Sequence, residues 1–360
     1  MKRTLHILLL ATLSCMSLLS CGKLIYEEGD DCDESVMHVS LRVSACAGGS
    51  AASRALTEDE VPGTGYENFI DVNKLHILFF DKDGIFLQSF EPEKVLPTDN
   101  SEYPDTWELS GTIQNPPKTG FKIVALANWP SDPKGLKVGE TTIENVCKAD
   151  WAMGDYTAPF TPSKNSPIPM YGVKTHKNKI SFNSDVETYL GEIYLLRAFA
   201  KITVCLSDDS SASLSSVTLS NYNKRFACAP LEMYDYTTNS SLSEATVHLA
   251  GGSSYNDPAR STLGFAPSAD KKSWTIYVPE YLNADPSGTA CSDRSHIELK
   301  VKDSGVTYQI DFRDYDGQPE THFFNIVRNF EYHYTVTLTP IMFRVTVDNW
   351  VFGGKVLIEM

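Results

Sequence analysis

VNKLHILFFDKDGIFLQSF, residues 72–90, holds two apolar runs separated by four turn residues. Val72 to Phe80 and Ile85 to Phe90 flank Asp81-Lys82-Asp83-Gly84. An Asp opening a turn can accept backbone N–H groups, and Gly takes the positive φ that closes it. The stretch therefore reads as a β-hairpin. The same style extends in both directions. On the N-terminal side Val39, Leu41 and Val43 alternate with His38, Ser40, Arg42 and Ser44, a first strand of period two. On the C-terminal side Trp107–Ile113 and Phe121–Ala127 flank the turn-rich Asn115-Pro116-Pro117-Lys118-Thr119-Gly120.

No segment carries a long helical stripe, and only Thr142 to Trp151 suggests a short helix. Residues 129–179 are proline-rich and read as otherwise irregular, with strand patterning resuming at Lys179–Phe182 and Ile193–Leu206. The second half offers strands at Lys201–Leu206, Ser216–Tyr222, Thr246–Leu249, Ser273–Val278, His296–Val301, Val306–Phe312, Tyr332–Thr339 and Phe343–Asn349. Many short strands between Gly, Pro, Asn and Ser turns point to an all-β chain of β-sandwiches. The length suits two, and the boundaries expected are 37–194 and 195–360.

Residues 1–20 read as a lipoprotein signal peptide. Lys2 and Arg3 precede the apolar run Ile7–Leu19, and Leu18-Leu19-Ser20-Cys21 has the form of a lipobox, with Cys21 the residue to be acylated. Cys15 is a poorer alternative, because Thr12 stands at its −3 position. The run is too short to span a bilayer, whereas acyl chains contributing about 0.8 kcal/mol per buried methylene would anchor the chain to the outer membrane. Residues 21–36, with Glu27, Glu28, Asp30, Asp31, Asp33 and Glu34, read as an acidic tether lifting the body off the membrane or as a signal for surface export.

The net charge is −15, and losing residues 1–20 removes two basic residues and no acidic one. That excludes phosphate-tracking nucleic-acid binding, which needs clustered Lys and Arg. Beyond Cys21 the cysteines are Cys32, Cys46, Cys147, Cys205, Cys228 and Cys291, none spaced as CxxC, so no zinc or redox motif is supported. Cys205 and Cys228 bracket consecutive strand candidates and are the disulfide pair expected first. There is no HExxH, GxSxG or P-loop, hence no catalytic residue, metal or cofactor to assign. Asp81–Gly84 and Asp314-Tyr315-Asp316-Gly317 lack the distal ligands of a calcium loop and read as turns. Trp107, Trp129, Trp151, Trp274 and Trp350 could stack on sugars, but four of them lie in or beside predicted strands, where aromatics build cores.

A family resemblance rests on the order of several segments. After the lipobox and first strand come Ser53-Arg54-Ala55-Leu56-Thr57-Glu58-Asp59-Glu60, the hairpin, and Phe121-Lys122-Ile123-Val124-Ala125-Leu126-Ala127-Asn128. Then follow Ile168-Pro169-Met170-Tyr171-Gly172, Leu196-Arg197-Ala198-Phe199-Ala200-Lys201-Ile202, Tyr277-Val278-Pro279-Glu280-Tyr281 and Ile326-Val327-Arg328-Asn329, before a last strand ending at Trp350. The series resembles the fimbrillin-type pilus subunits of the Bacteroidales (type V pili), including their lipoprotein anchors. The resemblance implies two tandem transthyretin-like β-sandwich domains and a structural subunit or anchor of a surface fimbria supporting adhesion. It also implies partners: other fimbrial subunits joined by strand exchange, and an arginine-specific protease cutting between Arg54 and Ala55. The strand displaced by that cut would carry Val39, Leu41 and Val43. Anchors of this family keep their N-terminus and lipid, and a Cys32 or Cys46 disulfide to the body would also retain the strand. The competing reading is a surface glycan-binding lipoprotein that does not polymerise, which needs an exposed aromatic platform.

Overall fold

The structure, a computed structural model, describes residues 36–45, 65–99, 104–182, 185–230, 258–283, 290–313, 323, 325–339, 342–347 and 351–352. The expected signal peptide, most of the tether, Arg54, Ala55, Cys32, Cys46, the Thr246–Leu249 strand and Asp314–Gly317 lie outside the described residues. The fold is all-β. The strands of the first part are β1 (Val36–Ser44), β2 (Leu75–Asp81), β3 (Phe86–Phe90), β4 (Lys94–Pro97), β5 (Thr106–Gln114), β6 (Phe121–Ala127), β7 (Met153–Asp155), β8 (Met170–His176), β9 (Thr188–Tyr194) and β10 (Leu196–Arg197). They form a four-stranded sheet, β4-β5-β1-β9, and a five-stranded one, β10-β8-β6-β2-β3.

The second part contributes β11 (Phe199–Leu206), β12 (Leu214–Asn223), β13 (Arg225–Ala227), β14 (Pro258–Gly264), β15 (Ala266–Pro267), β16 (Ser273–Pro279), β17 (His296–Val301), β18 (Thr307–Asp311), β19 (Phe330–Thr339), β20 (Met342–Val347) and β21 (Val351–Phe352). Its sheets run β15-β16-β11-β19-β20, with β21 also on β19, and β14-β12-β17-β18. β13 and β7 pair separately, so a ladder joins residues of the first part to residues of the second. The only α-helix among the described residues, α1 (Ile143–Lys148), starts where Thr142 accepts the Asn145 N–H and Asn145 returns a bond to the Thr142 backbone.

Burial explains the strand patterns. β2 and β6 are central, and Ile77 to Phe80 and Ile123 to Ala127 are buried without alternation, as strands covered on both faces are. β19 alternates: Phe330, Tyr332, Tyr334, Val336 and Leu338 point into the core, and the residues between them are half-buried. Phe312 packs edge-on against Tyr332 and Tyr334 at centroid distances of 5.6 and 6.1 Å. The core also holds an ion pair. Arg328, fully buried, donates to Glu280 Oε1 at 2.6 and 3.0 Å and to the carbonyls of Ala227, Cys228 and Ala229 at 2.8 to 3.0 Å.

Two expectations need correction. Residues 72–74 form a 3-10 turn rather than the start of β2, because the Asp71 carboxylate accepts the Asn73 N–H and caps it. Lys179–Phe182 forms no strand: Ile180 and Phe182 do pack on the core, Phe182 beside Phe121, but their backbone has no ladder partner. The strand lies earlier, at Met170–His176, inside the stretch read as irregular. There β8 pairs with β6 along its length, and a Cβ on Gly172 would sit 2.3 Å from the Tyr194 carbonyl oxygen, so only glycine fits. The turn at Asp81–Gly84 forms as its residues dictate, with Asp81 Oδ1 accepting from Asp83 N and Ile85 N and Gly84 at φ +84°.

Candidate functional site

The first strand is internal to its sheet. β1 runs antiparallel to β5, with Val39 opposite Gly111, Leu41 opposite Leu109 and Val43 opposite Trp107. On its other side it runs parallel to β9, with Val43 beside Ile193 and a register shift between Ser40 and Arg42. Val39, Leu41 and Val43 all have 0 % exposure. His38 and Arg42 are exposed on the opposite face, Arg42 at 3.8 Å from Glu108. The strand's end is fastened by Leu195 N donating to Ser44 O, Ala45 N donating to Asp105 O, and a 2.9 Å bond between the Ser44 and Thr106 hydroxyls. Three buried aliphatic side chains contribute on the order of 1.5–3 kcal/mol each. Without β1, the facing edges of β5 and β9 would both be unpaired over an apolar trough.

β11 occupies the same place in the second part, between antiparallel β16 and parallel β19. The difference is connectivity. β11 follows β10 after a single residue, Ala198, whereas β1 reaches the next described residue, Gly65, through residues 46–64, where Arg54 lies.

Immediately beyond that connection the chain is bolted down. Arg197 Nε donates to the Glu67 carbonyl at 2.9 Å, its Nη1 to Asn329 Oδ1 at 2.8 Å, and its Nη2 to Asn68 Oδ1. Lys201 Nζ lies 3.0 Å from Glu67 Oε1 and 3.3 Å from Glu331 Oε1, and the Tyr277 hydroxyl donates to Glu67 Oε1. Burial alone would lower the Lys201 pKa, but Glu67 and Glu331 outweigh it and hold the ammonium above its ordinary range. Burial, then the Glu67 charge, pushes the Tyr277 phenol well up. Both groups hold their protons more tightly folded than unfolded. Their contribution to stability is therefore complete below about pH 10, the ordinary range of the two side chains, and is lost as pH rises through the folded values. The melting temperature should hold to about pH 10 and then decline, and Glu67→Gln should flatten that decline. Overlaid melting profiles of the two proteins above that pH would remove the cluster from this role.

Sequence reasoning missed this cluster. Leu196-Arg197 and Phe199-Ala200-Lys201 stand out as a segment, but their partner Glu67 is distant in the chain and nothing local marks it.

Cys205 and Cys228 are not bonded: Cys205 Sγ lies 3.3 Å from His333 Nε2 across the β11–β19 pair, while Cys228 is buried against Cys147. The two sequence neighbours belong to different surroundings because β12 and β13 carry the chain away from β11 before Cys228 is reached. The four tryptophans among the described residues do not make a platform. Trp129 and Trp274 are buried, Trp129 Nε1 donating to the Met170 carbonyl at 2.8 Å, and Trp107 and Trp151 pack half-buried against the core. Trp350 lies outside the described residues. Among the described residues, no group of three His, Cys, Asp or Glu side chains is placed to hold a metal, and no helix is long and apolar enough to cross a membrane.

The model of the family described as fimbrillin-A associated anchor proteins Mfa1 and Mfa2 matches residues 31–352. The fold is similar to that of the tip fimbrial protein Mfa3 from Porphyromonas gingivalis, solved with a C-terminal truncation. The TM-score is 0.56 at 16 % identity, over 86 % of this chain and 98 % of that one. A candidate cell adhesion protein from Parabacteroides distasonis gives a TM-score of 0.51 at 14 % identity, over 90 % and 98 % of the two chains. No curated protein matches the sequence.

Proposed function

The chain belongs to the family of fimbrillin-A associated anchor proteins, and we propose that it joins its neighbours by β-strand complementation, with β1 the strand given up. Membership makes it a fimbrial subunit or anchor acting in cell adhesion at the cell surface. In the finer reading Cys21 carries a lipid that holds the chain on the outer membrane, and cleavage between Arg54 and Ala55 frees β1. The body then accepts a strand from another subunit, and cleavage is the work of an arginine-specific protease.

The observation that carries this reading is the place of β1. Val39, Leu41 and Val43 are fully buried between two strands that would both lose their partner if β1 left, and the connection following β1 holds Arg54. A strand supplied in trans would restore both ladders and refill the trough, which is how strand addition gains affinity and register together. Glu67 and Asn68, fixed to Arg197, Lys201 and Tyr277, would keep the new N-terminal segment attached to the body after the cut.

The test is the mature N-terminus of protein taken from its own cell surface, read by mass spectrometry. A start at Ala55, in material that runs as denaturant-resistant ladders, is the expected result for a polymerising subunit. A start at acylated Cys21 with residues 36–45 retained would leave the anchor role and remove strand release from this chain.

A further inference from the structure

Cys147 and Cys228 meet inside the molecule. Cys147 lies near the end of α1, and the chain then turns through the 3-10 segment Asp150–Ala152 into β7. β13 returns antiparallel to β7, with Phe226 opposite Gly154 and Ala227 opposite Met153. The Cys228 N–H then donates to the Ala152 carbonyl at 2.7 Å. That ladder sets Cys228 back against the helix. Both cysteines have 0 % exposure and are free thiols, and Cys147 acts on the Cys228 thiol as a close neighbour. The backbone on the Cys228 side is held a second time, by Arg328, whose guanidinium binds the carbonyls of Ala227, Cys228 and Ala229.

We propose that Cys147 and Cys228 form a disulfide in the exported protein, cross-linking α1 to the end of β13. The oxidant is an exported dithiol oxidase in its disulfide form. One cysteine, as thiolate, attacks a sulfur of that disulfide and expels the other as a thiol. The second cysteine attacks the mixed disulfide and releases the oxidant in its dithiol form. Two thiols lose their protons and two electrons in all, one S–S bond is broken and one is made.

The bond belongs to the folding stage. In the closed core burial, then the neighbouring thiol, pushes the Cys228 pKa well up, so its thiolate is scarce, and no oxidant reaches a fully buried sulfur. Once made, the bond is protected from exchange for the same reason. It closes a long loop, the case in which a cross-link most restricts the unfolded chain. None of α1, β7 and β13 pairs with β1, so the bond would hold them together while β1 is exchanged.

The test uses the full mature chain isolated from its native cell envelope. Free thiols are blocked by an alkylating agent during denaturation, and the chain is digested without reductant and mapped by mass spectrometry. The expected result is one peptide pair joined through Cys147 and Cys228, which separates on reduction, with neither cysteine alkylated beforehand. Alkyl groups on both residues, or either residue joined to a different cysteine, would overturn the proposal.

Discussion

Arg328→Met should remove about 3–5 kcal/mol of stability, the range for breaking a buried ion pair by deleting one partner. The guanidinium is fully buried and makes five contacts of 2.6 to 3.0 Å, two to Glu280 and three to consecutive backbone carbonyls. Methionine fills much of the volume but donates no hydrogen bond. It leaves the Glu280 carboxylate without its countercharge and strands three carbonyls in the core. Against a net stability of about 5–15 kcal/mol the loss is large, and the melting temperature should fall on the order of 10 °C. Replacing Glu280 with Met as well should recover only part of it, since the carbonyls of residues 227–229 still lack donors. Chemical denaturation of the two variants and the unchanged chain measures this directly. A single variant melting with the unchanged protein would show that the carbonyls find other donors and that Arg328 is not the clamp described.

The strands that sequence reasoning found are those whose side chains announce a face. Phe121–Ala127 is β6 as read, His296–Val301 is β17, and the Tyr332–Thr339 alternation lies within β19. The strands it missed have no such pattern. β8 carries Gly172, Lys174 and Thr175, and it is a strand because β6 needs a partner there, which is a property of the sheet. β9 and β1 run parallel, as do β11 and β19, and no short-range signal in a sequence specifies a parallel neighbour. Lys179–Phe182 failed the other way, its alternation being real packing without a ladder. The candidate site divides along the same line. Val39, Leu41 and Val43 declare a buried strand, but their position between β5 and β9 is visible only in the fold. Glu67 and Lys201, or Cys147 and Cys228, are brought together by tertiary contact alone, and no local pattern in the sequence pairs them.

A chain beginning at Ala55 should bind a synthetic peptide of residues 36–45, and a peptide with Val39, Leu41 and Val43 replaced by Ser should bind at least about a thousandfold more weakly. The estimate follows from burial. The three side chains occupy fully buried positions in the intact chain, and losing about 1.5–3 kcal/mol at each exceeds three decades of affinity at about 1.4 kcal/mol per decade. Register gives a sharper control. Moving the apolar residues onto positions 38, 40 and 42 keeps the composition but takes them off the buried positions 39, 41 and 43, setting two of them where His38 and Arg42 are exposed and one where the small Ser40 is buried, so that peptide should also fail. The truncated chain alone should self-associate through the open groove between β5 and β9, and saturating native peptide should suppress the association, because a filled groove restores the ladders on the facing edges of both strands. Light scattering with and without each peptide separates the cases. Equal binding of native and register-shifted peptides would mean adhesion to a sticky edge rather than insertion between β5 and β9, and strand complementation through this groove would have to be abandoned.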